Sequence, residues 1–105
     1  MAFEIVESAG VRPAAASNST LYTSTGATSA LVTVTNGTTS VIDVRVAHRR
    51  GGDALDNTHY KLFDFELLGS DFITVGPFFM ANGGILDVRC ASTGVTFTME
   101  GLSTA

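Results

Sequence analysis

Apolar and polar residues alternate through residues 85–101 with the period of a β-strand. Leu86, Val88 and Cys90 fall on one side, and Asp87 and Arg89 on the other. Beyond Ser92-Thr93-Gly94, Val95, Phe97 and Met99 oppose Thr96, Thr98 and Glu100. This pattern predicts a hairpin with one dry face and one wet face. The same period runs through residues 30–35, where Ala30, Val32 and Val34 alternate against Leu31, Thr33 and Thr35. In residues 41–48, Ile42, Val44 and Val46 face a core while Asp43, Arg45 and Ala47 face out. Residues 60–68 set Phe63, Phe65 and Leu67 against Asp64 and Glu66, and shorter strand signals lie at 2–7, 21–24 and 72–75. In the first of these, Phe3 and Ile5 share one side and Glu4 takes the other.

The slots between these segments hold turn residues. Asn36-Gly37 takes positive φ angles at low cost and predicts a tight hairpin joining 30–35 to 41–48. Residues 49–58, reading RRGGDALDNT, are polar and predict a long loop. Gly76-Pro77 interrupts a strand, because proline cannot donate to a ladder and so sits at an edge, a bulge or a strand start. Phe78-Phe79-Met80 follows, and Asn82-Gly83-Gly84 turns the chain into the last hairpin. Residues 8–19, rich in Ala, Ser and Gly around Pro13, lack helical periodicity and predict an extended arm that orders in an assembly. The expected fold is all-β, an antiparallel β-sandwich or jelly roll of about 7–8 short strands. An N-terminal strand and Ala/Ser-rich arm occupy 1–19, and the β-sandwich domain occupies 20–105.

Composition narrows the function. At 105 residues, 45% hydrophobic and 15% charged, the chain has room for one core and lies on the globular side of the disorder boundary. A formal charge of -4, with six Lys and Arg and a single cluster at Arg49-Arg50, argues against a nucleic-acid partner. No stretch approaches the roughly 20 apolar residues that span a bilayer, so no membrane partner is expected. The opening Met1-Ala2-Phe3-Glu4 lacks a basic segment followed by an apolar run, and the expectation is folding in a reducing cytoplasm. Cys90, the lone cysteine, falls on the apolar side of a strand and reads as a small buried hydrophobe rather than a reactive thiol.

Candidate chemistry is thin. His48 and His59 flank the 49–58 loop and, with Asp53 and Asp56, form the strongest metal candidate. The two acids lack the alternating ligand spacing of a calcium loop, and histidines at strand ends are commonly solvated. Asp64 and Glu66 lie two apart on one strand face; acid–base work would need them in a cleft, whereas on a wet strand they solubilise or discourage stray edge pairing. No glycine-rich loop opens a helix. A non-enzyme with no metal and no cofactor is expected. A sugar-binding sandwich would need exposed planar aromatics, and the chain has no Trp and two Tyr, Tyr22 and Tyr60. One internal echo, Ile42 to Ala47 against Leu86 to Ala91, fits ordinary charge pairing on wet strand faces better than a duplicated half-domain.

The segments LYTSTGATSALVTVTNGTTSVIDVRVA (21–47) and GPFFMANGGILDVRCASTGVTFTMEGL (76–102) together resemble small β-sandwich virion proteins of tailed bacteriophages. The shared features are strand and turn patterns over about two thirds of the chain. Asn82-Gly83-Gly84 departs from the family at a structural position, where an acidic residue often follows the glycine of the last turn. The resemblance implies a structural virion protein without catalysis. The preferred role is a capsid decoration, or cement, protein on the major capsid protein; the alternative is a neck, tail or fibre module. A homo-oligomer assembled in the host cytoplasm is implied as well. Phe72, Phe78 and Phe79, close together around a proline, exceed what one dry face buries. Either the second sheet faces inward there, the preferred reading, or part of the segment packs on another chain. The contact residues nominated for the virion role are Phe3, Ile5, Pro13, Arg49, Arg50, Phe78, Phe79 and Met80.

Overall fold

A computed structural model describes residues 3–7 and 10–104. It contains eight strands: β1 (Glu4–Glu7), β2 (Ser19–Thr23), β3 (Ala27–Asn36), β4 (Ile42–Arg49), β5 (Tyr60–Leu67), β6 (Phe72–Met80), β7 (Ile85–Cys90) and β8 (Val95–Thr104). A single 3-10 turn, Asn57–His59, precedes β5. The strands form two four-stranded antiparallel sheets, sheet I in the order β1-β8-β3-β6 and sheet II in the order β2-β7-β4-β5. Among the described residues, β4 and β5 are the one pair of consecutive strands that share a ladder; every other connection crosses between sheets. This is the strand order of a jelly roll.

Two predicted hairpins are therefore absent. β7 pairs with β2 and β4, while β8 pairs with β1 and β3, so the segments of 85–101 face each other across the core instead of lying side by side. The faces read from the alternation are correct: Leu86, Val88, Cys90, Val95, Phe97 and Met99 are all buried. Alternation reports which side of a strand is dry, and two strands stacked across a sandwich carry the same signature as two paired in a ladder. The final turn at Asn82-Gly83-Gly84 is likewise a crossing, from β6 in sheet I to β7 in sheet II.

Asn36-Gly37 also makes a crossing, from β3 to β4. Asn36 does not sit in an exposed turn. Its side chain is buried and its Nδ2 donates to the carbonyls of Ser40 (2.7 Å) and Leu67 (3.0 Å). Its Oδ1 accepts from the Thr38 amide (3.0 Å) and hydroxyl (2.7 Å). One amide thus satisfies the buried Leu67 carbonyl at the end of β5, which would otherwise lack this partner, and ties the connection down through Ser40 and Thr38.

Leu21, Ala30, Val32, Val34, Ile42, Val44, Val46, Leu67, Phe78 and Met80 complete the core with the residues above. Ala47, expected on the outside, is also buried; it lies between Tyr60 of β5 and Asp87 of β7 in the ladder, where β4 and β5 slip in register. The arm expected to order only in an assembly is, over residues 10–18, docked on its own sandwich. Val11 exchanges two backbone bonds with Phe97 (2.9 Å each), the Ala16 amide donates to the Cys90 carbonyl (2.8 Å), and Pro13 is buried with its carbonyl facing the Cys90 thiol at 3.7 Å. Residues 8 and 9 of the arm lie outside the described residues.

Two bulges decide which aromatics reach the surface. Ala30 opposes Phe78 and Val32 opposes Val75, so β6 carries one residue more than β3 around Gly76-Pro77. A bulge of this kind inverts the alternation beyond it: Phe78 and Met80 turn inward and Phe79 outward. Gly76 adopts φ +126°, which only glycine takes without strain. In β5 the slip between Leu62 and Phe65, with Asp64 at φ +50°, takes Phe63 out of the phase of Leu67, against the expectation that it lies inside. Phe65 keeps that phase, opposite buried Val44, but is 42% exposed because β5 is the sheet edge.

Asn36→Ala should lower stability by about 2–4 kcal/mol, since it leaves the buried Leu67 carbonyl without this partner. Urea unfolding followed by circular dichroism measures it, and a loss below about 0.5 kcal/mol would contradict the bridging role.

Candidate functional site

The outer face of a two-layer sandwich meets solvent and is expected to be polar. Sheet II conforms. Its outer surface carries Arg45 and Arg89 opposite one another, while Asp87 on the adjacent row is buried between Thr20 and Arg49; the echoed segments are thus neighbouring antiparallel strands. Arg45 holds Asp64 by a bidentate pair (Nε–Oδ1 2.6 Å, Nη2–Oδ2 3.1 Å) and lies 4.0 Å from the ring centre of Phe63, which meets Tyr60 edge-on. The hydrogen bonds from Arg45 hold the Asp64 carboxyl below its ordinary range.

Sheet I does not conform. Its register sets Ile5, Leu102, Ser29 and Phe79 in one row across β1, β8, β3 and β6. Ile5 is 78% exposed, Phe79 74% and Leu102 50%. Phe3, 67% exposed, borders the same hollow as Phe79 and Leu102. Leu31 and Pro77 line a second hollow that shares Ser29 and Leu102 with the first. Glycine at 101 lets β8 approach β3 closely beneath this row; a Cβ there would collide with the Ser29 carbonyl. Toward the other end of the strands the face carries Glu7 opposite Glu100, then Thr96, Thr98, Thr33, Thr35 and Thr74, with one exposed aromatic, Phe72, opposite Thr35. Among the described residues no Lys or Arg occurs in any strand of sheet I.

The nominated contact residues separate into two groups. Phe3, Ile5 and Phe79 come together on this face. Pro13, Phe78 and Met80 do not present themselves there: all three are buried, Pro13 where the arm docks against Cys90, Phe78 and Met80 by the β6 bulge, Met80 forming part of the floor of the Phe3–Phe79 hollow. Arg49 is held inside the fold as well. Its Nε donates to Asp87 Oδ2 at 2.7 Å and its Nη1 to the Asp53 carbonyl at 2.5 Å, while Thr20 Oγ1 supplies Asp87 Oδ1 at 3.1 Å. Arg50 stays exposed, with Asp53 3.4 Å away. Leu102, Leu31 and Pro77 were not nominated. Their signal was an apolar residue in the polar phase of a strand: Leu31 among Thr33 and Thr35, and Leu102 after Thr96, Thr98 and Glu100.

The alternative sites dissolve into local structure. His59 and Asp56 form a capping box, in which Asp56 Oδ1 accepts from the Thr58 amide (2.8 Å) and His59 Nδ1 from the Asp56 amide (3.0 Å). Among the described residues no three His, Cys, Asp or Glu side chains gather as a metal-binding group. Asp64 belongs to Arg45, and Cys90 is buried, which pushes its thiol above the ordinary range. His48 lies half-buried with its ring edge-on to Phe78 (6.3 Å between centres), and burial, with Lys61 and His59 nearby, pushes its pKa below the ordinary value. Compared with known proteins, the chain matches no family model, no curated sequence and no solved structure.

The lowered His48 pKa fixes a pH dependence. The unfolded chain takes up the proton first, so stability is complete above the unfolded value near 6.5 and declines as pH falls from there toward the folded pKa. Urea midpoints at pH 8 and pH 5.5 should fall less for His48→Gln than for the wild type; equal losses would mean that His48 makes no contribution.

Proposed function

We propose that the protein is a non-catalytic structural component of a tailed-phage particle, a capsid decoration protein that attaches to the shell in many copies. The observation that carries this reading is the outer face of sheet I: a charge-free apolar row, displayed where a sandwich working alone would present polar side chains. Such a face acts by burial against another protein surface, at roughly 25 cal/mol per Å² before the ordering costs of association. Many modest contacts repeated over one shell would act together.

Two further features favour the reading. The strand and turn pattern of 21–47 and 76–102 resembles small virion sandwiches, and the jelly-roll order is one that viral capsid domains use, although a fold alone does not assign a role. Of the titratable groups that could have done chemistry, Asp56 and His59 are engaged in capping, Asp64 in an ion pair and Cys90 in burial.

Purified particles of the encoding phage, quantified by mass spectrometry, should contain the chain in a fixed ratio to the major capsid protein. Shells stripped of it should take it back saturably and then resist heat better. A handful of copies per particle would instead identify a neck, tail or fibre module, and absence from particles would overturn the virion role.

A further inference from the structure

We propose that the apolar end of sheet I's outer face is a self-association surface, on which two copies of this chain meet face to face about a two-fold axis. The inference concerns the isolated protein and does not depend on the virion role; one face cannot cover a shell and a second copy at once, so the two would compete for it.

Area is the first argument. Phe3, Ile5, Leu31, Phe79 and Leu102 together expose on the order of 500 Å² of apolar surface, at the upper end of what a monomer displays in one patch. A standard interface takes about 800 Å² from each partner, a little over half of it non-polar, so this face carries the apolar complement of one such interface.

Shape is the second. Leu102 and Ser29 border both open hollows, one edged by Phe3 and Phe79 and the other by Ile5, Leu31, Pro77 and Glu100, so the first is the one that takes an apolar side chain without burying a carboxylate. The hollows measure about 430 and 460 Å³, enough for an aliphatic or aromatic side chain. A ridge flanked by hollows is self-complementary: the Leu102 ridge of one copy fits a hollow of the other, as an isologous contact requires.

Charge is the third. The row Ile5–Leu102–Ser29–Phe79 contains no ionisable side chain, and the carboxylates of the face, Glu7 and Glu100, lie to one side of it. A two-fold axis in the contact plane, running across the strands, overlaps the two apolar ends. The two Glu7–Glu100 pairs then sit at opposite ends of the contact, and the threonine-rich halves stay in water. Among the described residues the strands of sheet I carry no Lys or Arg, and the cation that borders the face, Arg50 in a hollow beside Phe79, already lies 3.4 Å from Asp53, so an acidic partner or nucleic acid would find little counter-charge here.

Sedimentation velocity and light scattering over a concentration series test the proposal on the full chain. The wild type should form a concentration-dependent dimer. Phe79→Glu and Leu102→Glu should each weaken it at least tenfold, with circular dichroism unchanged and, at concentrations where the wild type is monomeric, the urea midpoint unchanged too, because both side chains are exposed. Thr33→Glu, on the same face beyond the overlap, should leave the dimer intact. A monomer at the highest concentrations, a closed ring of three or more, or a dimer that survives both Phe79→Glu and Leu102→Glu would overturn the proposal. So would a Thr33→Glu effect as large as that of Phe79→Glu.

Discussion

The apolar layer between the two sheets is the interaction on which the rest of the structure depends. Each strand contributes alternate residues to it, with Phe97, Leu86, Leu67 and the valines of β3, β4 and β7 fully enclosed. Because consecutive strands mostly lie in different sheets, that layer forms only when distant parts of the chain come together. The crossings must then bring polar backbone through the ends of the sandwich, and Asn36, Asp87 with Arg49, and the docked arm satisfy groups there. Among the described residues no buried side-chain nitrogen or oxygen lacks a partner.

That same layer explains how far the sequence could be read. The dry side of β3, of most of β4, and of β7 and β8 follows from period-2 alternation, which burial on one face imposes locally. The pairing of strands does not follow. Asn36-Gly37 has the composition of a hairpin turn, yet the long-range bonds from Asn36 to Leu67 and from the Asn36 amide to the Asp71 carbonyl make it a crossing. Bulges erase the alternation as well. One extra residue near Gly76-Pro77 decides that Phe79 and not Phe78 reaches solvent, and the partner strand that fixes it, β3, lies about forty residues away. The arm shows the same limit, since its Ala/Ser composition gave no sign that Pro13 and Val11 would meet Cys90 and Phe97.

The candidate surface was half legible. Phe3, Ile5 and Phe79 were among the nominated contacts and all three are outside, whereas Phe78 and Met80, nominated in the same run as Phe79, are inside. Leu31 and Leu102 joined them only once sheet order set β1, β8, β3 and β6 side by side, because residues adjacent across a sheet leave no shared mark along the chain. The division of labour between the faces is then plain. Sheet II turns ion pairs and stacked Arg45 to water, whereas sheet I turns out an uncharged apolar row that gains free energy only when covered.

Whether that row is covered in the working protein is the central question, and side-chain footprinting answers it most directly. Hydroxyl-radical labelling, read by mass spectrometry, would compare dilute protein with the assembled form. Occupation of the face predicts strong protection of Phe79, Leu102, Ile5 and Phe3, with Phe63 and Phe65 on sheet II labelled as before. Equal labelling of both groups in the two states would contradict it.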